Sequence, residues 1–418
     1  MIKNYLKLAF KVLLRRKFFT FISLFGISFT LVVLMVVAAL FDHVFAPFPP
    51  ETKLDRTLNI YWAAASKKGE VHQFSGPGYA MLDRYARGLP HVEKFAIHSI
   101  PFSAISYKDG AQISSYLKTT AEDFWGIFNF NFLEGGPYSV DDVTRGQFVA
   151  VINEATRNKF FGSEPALGNT IIVDDQRFRV VGVVENVPIF RVTPFADIWV
   201  PITTSKTDTY RNEMMGLQMG TLLARNRTDF PAIKEEYRSR LARVKLEERG
   251  NENDTVTGCP ETLFETFSRL LAGSIQNSVL KPPSGRLWAV MLTLMILFMV
   301  LPTINLVNIN VSRIRERASE IGVRKAFGAT SHTLVGQFVT ENVVLTLLGG
   351  LVGFVLSPVV LHLLTSSGLI KYAHFQMNYR IFFTGLVIAF FFGVFSVVYP
   401  AWKMSRLHPV EALRGRSL

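Results

Sequence analysis

The chain contains an apolar run that is longer than the helices of ordinary globular cores. Residues 18–41 carry no charged side chain, and only small or hydroxylated residues interrupt the run. At about 1.5 Å per residue, a helix of this length crosses a hydrocarbon layer about 30 Å thick. A cleaved signal peptide also follows a basic segment, but its apolar run normally has about 7–15 residues. The run therefore predicts an uncleaved transmembrane anchor.

Three further apolar stretches follow, so the sequence predicts a membrane protein with four transmembrane α-helices and a large α+β extracytoplasmic domain. Both chain ends are expected in the cytoplasm. The first segment is either an amphipathic helix on the inner leaflet or the positive flank of the first span. The expected segments are an amphipathic cytoplasmic helix (1–17), span one (18–41), the extracytoplasmic domain (42–285), span two (286–311), a cytoplasmic segment (312–332), span three (333–364), a short extracytoplasmic loop (365–380), span four (381–400) and a cytoplasmic tail (401–418).

The net charge of +12 follows this topology. Residues 42–285 hold 27 basic and 29 acidic side chains, so the excess of basic residues lies in the short segments that flank the spans. Short basic loops stay on the cytoplasmic side of a membrane. The charge therefore indicates membrane topology, and no nucleic-acid partner is expected.

The large domain shows alternating strand and helix patterns. A strand is predicted over 147–152, a short helix over 154–161 that ends at Gly162, and two strands over 170–184 around a turn at Asp174 and Asp175. A surface helix is predicted over 229–249, with Asp229 as its N-cap and apolar residues on one face.

No catalytic or metal-binding constellation is recognisable in the sequence. It has no Gly-x-Ser-x-Gly nucleophile elbow and no His-Glu-x-x-His metal motif. Cys259 is the only cysteine, so no intrachain disulfide can form. The chain is expected to catalyse nothing and to hold no metal or other cofactor of its own.

A polar segment, residues 313–330, separates spans two and three. It combines basic and acidic side chains with apolar anchors and glycines, a composition suited to docking a cytoplasmic partner. Its last part reads as a helix that ends at a glycine, after which Thr330 or Ser331 caps the next helix. The predicted contact residues are Arg317, Glu320, Ile321, Gly322, Arg324, Lys325, Phe327 and Gly328.

The spans carry several residues of interest. Pro302 is expected to kink span two, and Asn308 needs a polar partner or marks the cytoplasmic end of that span. Glu341 is an ionisable residue in or near the apolar layer, and structural pairing with an arginine at the cytoplasmic end is favoured over proton transport. Gly349 and Gly353 permit close helix packing, either across a dimer axis or within one chain.

Residues 320–329 resemble the cytoplasmic coupling segment of the FtsX/MacB-type permeases of ABC transporters, and Pro400-Ala401 with Pro409–Arg414 resembles their closing signature. Three patches of the large domain, 132–135, 149–153 and 180–183, resemble the MacB-like periplasmic core domain. The resemblance covers nearly the whole chain and matches the MacB/LolC/LolE arrangement of spans.

The resemblance implies a non-catalytic permease subunit in the bacterial inner membrane that transmits movement to its extracytoplasmic domain. The sequence has no Gly-x-x-x-x-Gly-Lys-Ser/Thr loop, so ATP and Mg are expected in a separate cytoplasmic ABC ATPase. A second copy or a paralogous permease is an expected partner, and a periplasmic adaptor is a further candidate. Export of a substrate and FtsX-like control of an extracytoplasmic hydrolase, or sensing of a ligand without export, both remain open.

Overall fold

A computed structural model describes residues 2–15, 17–67, 70–108, 111–121, 123–244, 255–271, 285–294, 296–297, 323–324 and 326–405. The chain divides into two compact units. The helical unit comprises Met1–Asp42, Val290–Leu369 and His374–Leu418, and the α+β unit comprises His43–Ala289 and Ile370–Ala373.

The helices of the described chain follow one another in sequence as α1 Ile2–Arg15, α2 Lys17–Phe45, α3 Tyr79–Tyr85, α4 Phe124–Ile127, α5 Val140–Thr144, α6 Glu154–Phe161, α7 Phe230–Leu241, α8 Leu263–Leu271, α9 Gly285–Leu294, α10 Ser331–Ser366 and α11 Tyr379–Ser405.

Two of the described helices, α2 and α10, are long and apolar enough to cross a membrane. They lie where spans one and three are expected. A shorter apolar helical stretch, Tyr379–Phe395, lies within α11. The predicted second span begins within α9, and residues 298–311 lie outside the described residues. The number of four spans therefore stays a prediction.

The helical unit is held together by apolar side chains from several helices. Ile27, Leu31 and Met35 of α2 cluster with Phe382 of α11 and are each at most 3% exposed. In α1, Ala9 and Leu13 are buried in a cluster with Val344 and Leu345 of α10. The exposed Lys7 and Lys11 of α1 show that this helix has one apolar and one basic face.

The strands of the described chain belong to the α+β unit. They are β1 Thr57–Ile60, β2 Ala63–Lys67, β3 Glu70–Pro77, β4 Val92–Ser99, β5 Phe102–Lys108, β6 Ala111–Thr120, β7 Phe132–Gly135, β8 Val149–Asn153, β9 Thr170–Val173, β10 Gln176–Val184, β11 Ile198–Pro201, β12 Met215–Gly216, β13 Gln218–Ala224 and β14 Thr255–Gly258.

Most of these strands form one sheet in the order β1-β13-β4-β6-β11-β8-β10-β9-β5, and β5 also pairs with β6. The pairing of β5 with both β6 and β9 closes the strands from β6 to β5 into a ring. Branched side chains such as Ile152, Val180 and Ile198 fill the core that these strands share. Strand β7 pairs with β10 of this sheet, and the other four strands form a smaller sheet in the order β12-β3-β2-β14.

Several local predictions for the α+β unit are confirmed. Helix α6 spans Glu154–Phe161, and Gly162 follows it with φ of 59°. Strands β9 and β10 are joined by Asp174 and Asp175, whose positive φ angles of 47° and 64° suit a tight hairpin turn.

Helix α7 buries Phe230, Ile233, Tyr237 and Leu241 on one face, as its spacing predicts, but it ends at Leu241, before the predicted end at residue 249. The predicted role of Asp229 is wrong in one respect. This residue is the N-cap of α7, but its side chain makes no cap hydrogen bond to that helix. It accepts a hydrogen bond from Asn226 N at 3.1 Å instead, because a short turn of 3-10 helix precedes α7.

Candidate coupling site

The predicted coupling segment is described only in its last part. Arg324, Phe327 and Gly328 are described, whereas five further predicted contact residues lie outside the described residues: Arg317, Glu320, Ile321, Gly322 and Lys325. Pro302 and Asn308 of the predicted second span also lie outside them. The roles proposed for all of these residues stay predictions.

The end of the segment is a helical turn that stops at a glycine. Phe327 N donates to Val323 O at 3.1 Å, and Ala329 N donates to Arg324 O at 3.0 Å. Gly328 has φ of 89°, the left-handed conformation that favours glycine after a helix. Thr330 then caps α10, since its side chain accepts from Thr333 N. The predicted helix end at Gly328 and the predicted start of the next helix at Thr330 are therefore both confirmed.

Phe327 is the most exposed large apolar side chain among the described residues, with 88% of its surface accessible. Val323, one helical turn earlier, is 45% exposed. Both lie just before α10, whose Leu334 and Phe338 are buried in a small core with Val397 of α11. An exposed aromatic ring that lies next to a packed apolar core is suited to fill a pocket on another protein.

Arg324 connects this turn to a buried carboxylate through an amide. Its guanidinium donates to Gln337 Oε1 at 2.5 Å, and Gln337 Nε2 donates to Glu341 Oε1 at 3.0 Å. Gln337 is 5% exposed and Glu341 is 2% exposed. The described hydrogen bonds thus join Arg324 to Gln337 and Gln337 to Glu341, and the favoured pairing of Glu341 with a cytoplasmic-end arginine stays a prediction. The connection makes the position of the turn depend on α10.

A second polar contact joins α10 to α11. The buried Asn342 donates from Nδ2 to Gly393 O at 2.5 Å, and Thr346 Oγ1 donates to Asn342 O at 3.0 Å. A side-chain amide in an apolar layer gains from a polar partner on a neighbouring helix. Asn342 was not among the predicted site residues, although an amide inside an apolar run is itself a recognisable signal.

The glycine pair of α10 packs against α2 of the same chain. A Cβ at Gly349 would lie 2.8 Å from Ile27 Cβ, and one at Gly353 would lie 3.2 Å from Leu31 Cβ. Of the two alternatives, packing within one chain is the arrangement that the structure has. Since the glycine face is occupied by α2, a partner copy would have to use another surface.

The α+β unit buries several ionisable side chains away from the coupling turn. Lys118 and His98 are fully buried, and burial lowers the pKa of Lys118 to about 7, opposed by the nearby carboxylate of Glu51. Burial, with a contribution from Lys118, also holds the pKa of His98 well below its ordinary value of 6.5. In the described part of the chain, no group of three or more His, Cys, Asp and Glu side chains is arranged to hold a metal ion.

Sequence profiles of two protein families match separate parts of the chain. The MacB-like periplasmic core domain matches residues 20–240, and the FtsX-like permease C-terminal region matches residues 292–409. The first match covers more than half of the chain.

Curated relatives include the macrolide export ATP-binding/permease proteins MacB of Burkholderia thailandensis and Pasteurella multocida. The first is 28% identical and the match covers 72% of this chain and 43% of the relative; the second is 26% identical, with 70% and 42% covered. The chain thus spans less than half the length of these relatives. A solved structure, the periplasmic region of MacB from Actinobacillus actinomycetemcomitans, matches at 16% identity with a TM-score of 0.35, over 53% of this chain and 94% of that one.

The two profile matches follow each other in the same order as the α+β unit and the final helices of the chain. The chain therefore belongs to the family of MacB/FtsX-type ABC transporter permeases, with a MacB-like periplasmic core domain and an FtsX-like permease region.

Proposed function

We propose that this chain is a permease subunit that couples ATP hydrolysis by a separate cytoplasmic ATPase to movement of its extracytoplasmic domain. The observation that carries the proposal is the turn before α10, where the 88% exposed Phe327 lies three residues after Arg324, which is fixed to α10 through Gln337. A partner that binds Phe327 would therefore act on a turn that is firmly joined to a long apolar helix.

We also propose that the chain lies in the bacterial inner membrane, with four spans and both ends in the cytoplasm. Two long apolar helices and the position of the basic residues support this topology. The α+β unit would then lie outside the membrane. ATP and Mg would be bound by the partner ATPase, and two permease copies, identical or paralogous, would sit on two ATPases.

The energy of ATP hydrolysis would be used to move the extracytoplasmic domain on the outer side of the membrane. Glu341 is buried and hydrogen-bonded to Gln337. A structural hydrogen bond of this kind accounts for a buried carboxylate without a role in ion transport. Two relatives are named for macrolide export. Export of a substrate from the outer side of the membrane is therefore the mode of action that we propose.

The test is copurification of the full chain from native membranes, followed by mass spectrometry and an ATP hydrolysis assay. An ATP-binding subunit should copurify with the wild type, and Phe327→Ala should weaken its binding by tenfold or more, as expected for about 1.4 kcal/mol at a central aromatic contact. The matched control is Leu369→Ala, which removes an 80% exposed side chain after α10 and should change nothing. Absence of any ATPase from the wild-type preparation would refute the proposal.

A further inference from the structure

The loop of residues 185–197, between β10 and β11 of the α+β unit, receives contacts from two segments that adjoin the long apolar helices. One is 46–51, which directly follows α2. The other is Ile370–Ala373, which lies between α10 and α11 in the sequence and belongs to the α+β unit. In each set the loop contributes one charged side chain that is almost completely buried, Asp197 in one and Arg191 in the other.

Asp197 holds the segment between α10 and α11. Its Oδ2 accepts from Lys371 Nζ at 2.7 Å and its Oδ1 accepts from Tyr372 OH at 2.8 Å. Ile189 N of the same loop donates to Lys371 O at 3.2 Å. The ammonium group of Lys371 also lies 4.8 Å from the centre of the Tyr116 ring, so its charge is stabilised by a carboxylate and an aromatic face.

Arg191 holds the segment that follows α2. Its guanidinium donates to Ala46 O at 2.6 Å and to Glu51 Oε2 at 2.9 Å, and it lies 3.5 Å from the centre of the Phe48 ring. The Arg191 side chain is fully buried and that of Glu51 is 3% exposed. Three contacts from one rigid, planar group leave the segment little freedom to move independently of the loop.

The loop is in turn fixed to the centre of the sheet. Lys118 of β6 donates from Nζ to Val192 O at 3.1 Å and to Thr193 O at 2.7 Å. Asp197 accepts from Tyr116 N of β6 at 2.8 Å and from Asn153 Nδ2 at the end of β8 at 3.0 Å. A displacement of the loop would therefore act directly on two strands on either side of β11.

We infer that the 185–197 loop is the point at which movement of the apolar helices enters the α+β unit, with Asp197 and Arg191 as its positioning residues. The inference rests on the proposed function. It deepens that function because it names the residues through which the outer domain is moved. When the side-chain groups of Lys371 and Tyr372 are removed, the segment between α10 and α11 loses its two contacts to Asp197 and keeps the backbone hydrogen bond from Ile189 N. Its movement should then act on the sheet less strongly.

Hydrogen exchange of the full chain in lipid nanodiscs, in complex with its ATPase, tests this inference with and without a non-hydrolysable ATP analogue. In the wild type, the analogue should change exchange both in peptides over 323–334 and in peptides over 114–120 and 148–153. In the double variant Lys371→Met/Tyr372→Phe, the change over 323–334 should persist, whereas the change in the strands should fall by about threefold or more, as expected for residues in a coupled network.

The matched control Lys206→Met/Tyr107→Phe removes the same groups from exposed positions of the α+β unit and should behave as the wild type. Lys371→Arg, which keeps the charge, should retain most of the strand response. If the double variant does not fold, as judged by thermal unfolding, Lys371→Met alone is used.

The exchange experiment distinguishes failure of the inference from failure of the proposed function. An unchanged strand response in the double variant overturns the inference and leaves the proposed function standing. The inference is likewise overturned, and the proposed function kept, if the wild type responds over 323–334 but not in the strands. A wild type without a nucleotide-dependent change over 323–334 overturns the proposed function and the inference together.

Discussion

Gly349 lies so close to α2 that a Cβ on this residue would stand 2.8 Å from Ile27 Cβ. Gly349→Ala is therefore expected to force the two helices apart and to lower the free energy of unfolding by about 1–3 kcal/mol, as overpacking does. Thermal unfolding of the full chain in detergent measures the effect.

Gly336→Ala is the control for this substitution, because Gly336 lies in the same helix and no atom lies within 4 Å of a Cβ built there. This variant should be neutral or more stable by up to about 1 kcal/mol, since alanine has the higher helix propensity. Equal destabilisation by both variants would contradict the close packing of α10 on α2.

His98 is expected to make the protein sensitive to mild acid. It is fully buried, and its pKa lies well below 6.5 because burial and Lys118 disfavour the charged ring. Below about pH 6.5 the unfolded chain binds a proton that the folded chain does not, so stability falls as the pH is lowered, by up to about 1.4 kcal/mol per pH unit.

Denaturant unfolding of the wild type and His98→Gln at pH 7 and pH 5 measures this dependence. The variant should lose less stability between the two pH values than the wild type. The exposed His72 provides the control substitution, His72→Gln. An equal loss of stability in the wild type and His98→Gln would show that His98 is not the responsible group.

Breaking the buried pair of Glu51 and Arg191 should strongly lower the free energy of unfolding. Arg191→Met leaves the Glu51 carboxylate, whose pKa burial already raises, without its guanidinium partner. The expected loss in the free energy of unfolding is about 3–5 kcal/mol. The double variant Glu51→Gln/Arg191→Met should recover much of this loss, because no unpaired charge then remains buried.

The pair of Arg157 and Glu134 provides the comparison, since its side chains are 23% and 32% exposed and lie 3.2 Å apart. Arg157→Met should cost only about 0–1 kcal/mol, because solvent screens a partly exposed pair. Denaturant unfolding gives both values. Similar losses for Arg157→Met and Arg191→Met would refute the special cost of the buried pair.

Glu341→Gln should leave ATP hydrolysis by the assembled complex little changed, with the same pH profile. Gln337 Nε2 donates to Glu341 Oε1, and the amide oxygen of a glutamine can accept this hydrogen bond equally well. Glu341→Leu should instead cost about 1–3 kcal/mol of stability, because the buried amide of Gln337 loses its acceptor. A strong loss of activity or a shifted pH profile in Glu341→Gln would favour a proton-transport role over structural pairing.

The local structure of this chain was predictable where a few neighbouring residues decide it. The end of α6 at Gly162 and the hairpin turn at Asp174 and Asp175 follow from the backbone angles that glycine and aspartate tolerate. The long apolar runs that became α2 and α10 follow from the cost of exposing hydrocarbon to water. These effects act within a helical turn or along one segment, so they can be read without a structure.

The candidate site was predictable in part. The glycine at position 328, the cap at Thr330 and the buried carboxylate of Glu341 all carry local signals. The relay through Gln337 and the choice of α2 as the partner of Gly349 do not, because spacing shows that a face can pack closely but not which surface it meets.

The sequence by itself determined which segments are apolar, where the basic residues lie and where short helices and turns end, because hydration and backbone preference are local properties. Only the tertiary structure brought Lys371 to Asp197, 174 positions earlier, and Arg191 to Glu51, 140 positions earlier. Neither pair has a signal in the sequence. A buried charge accepts a partner from any part of the chain, and the fold alone decides which one is near enough to bind.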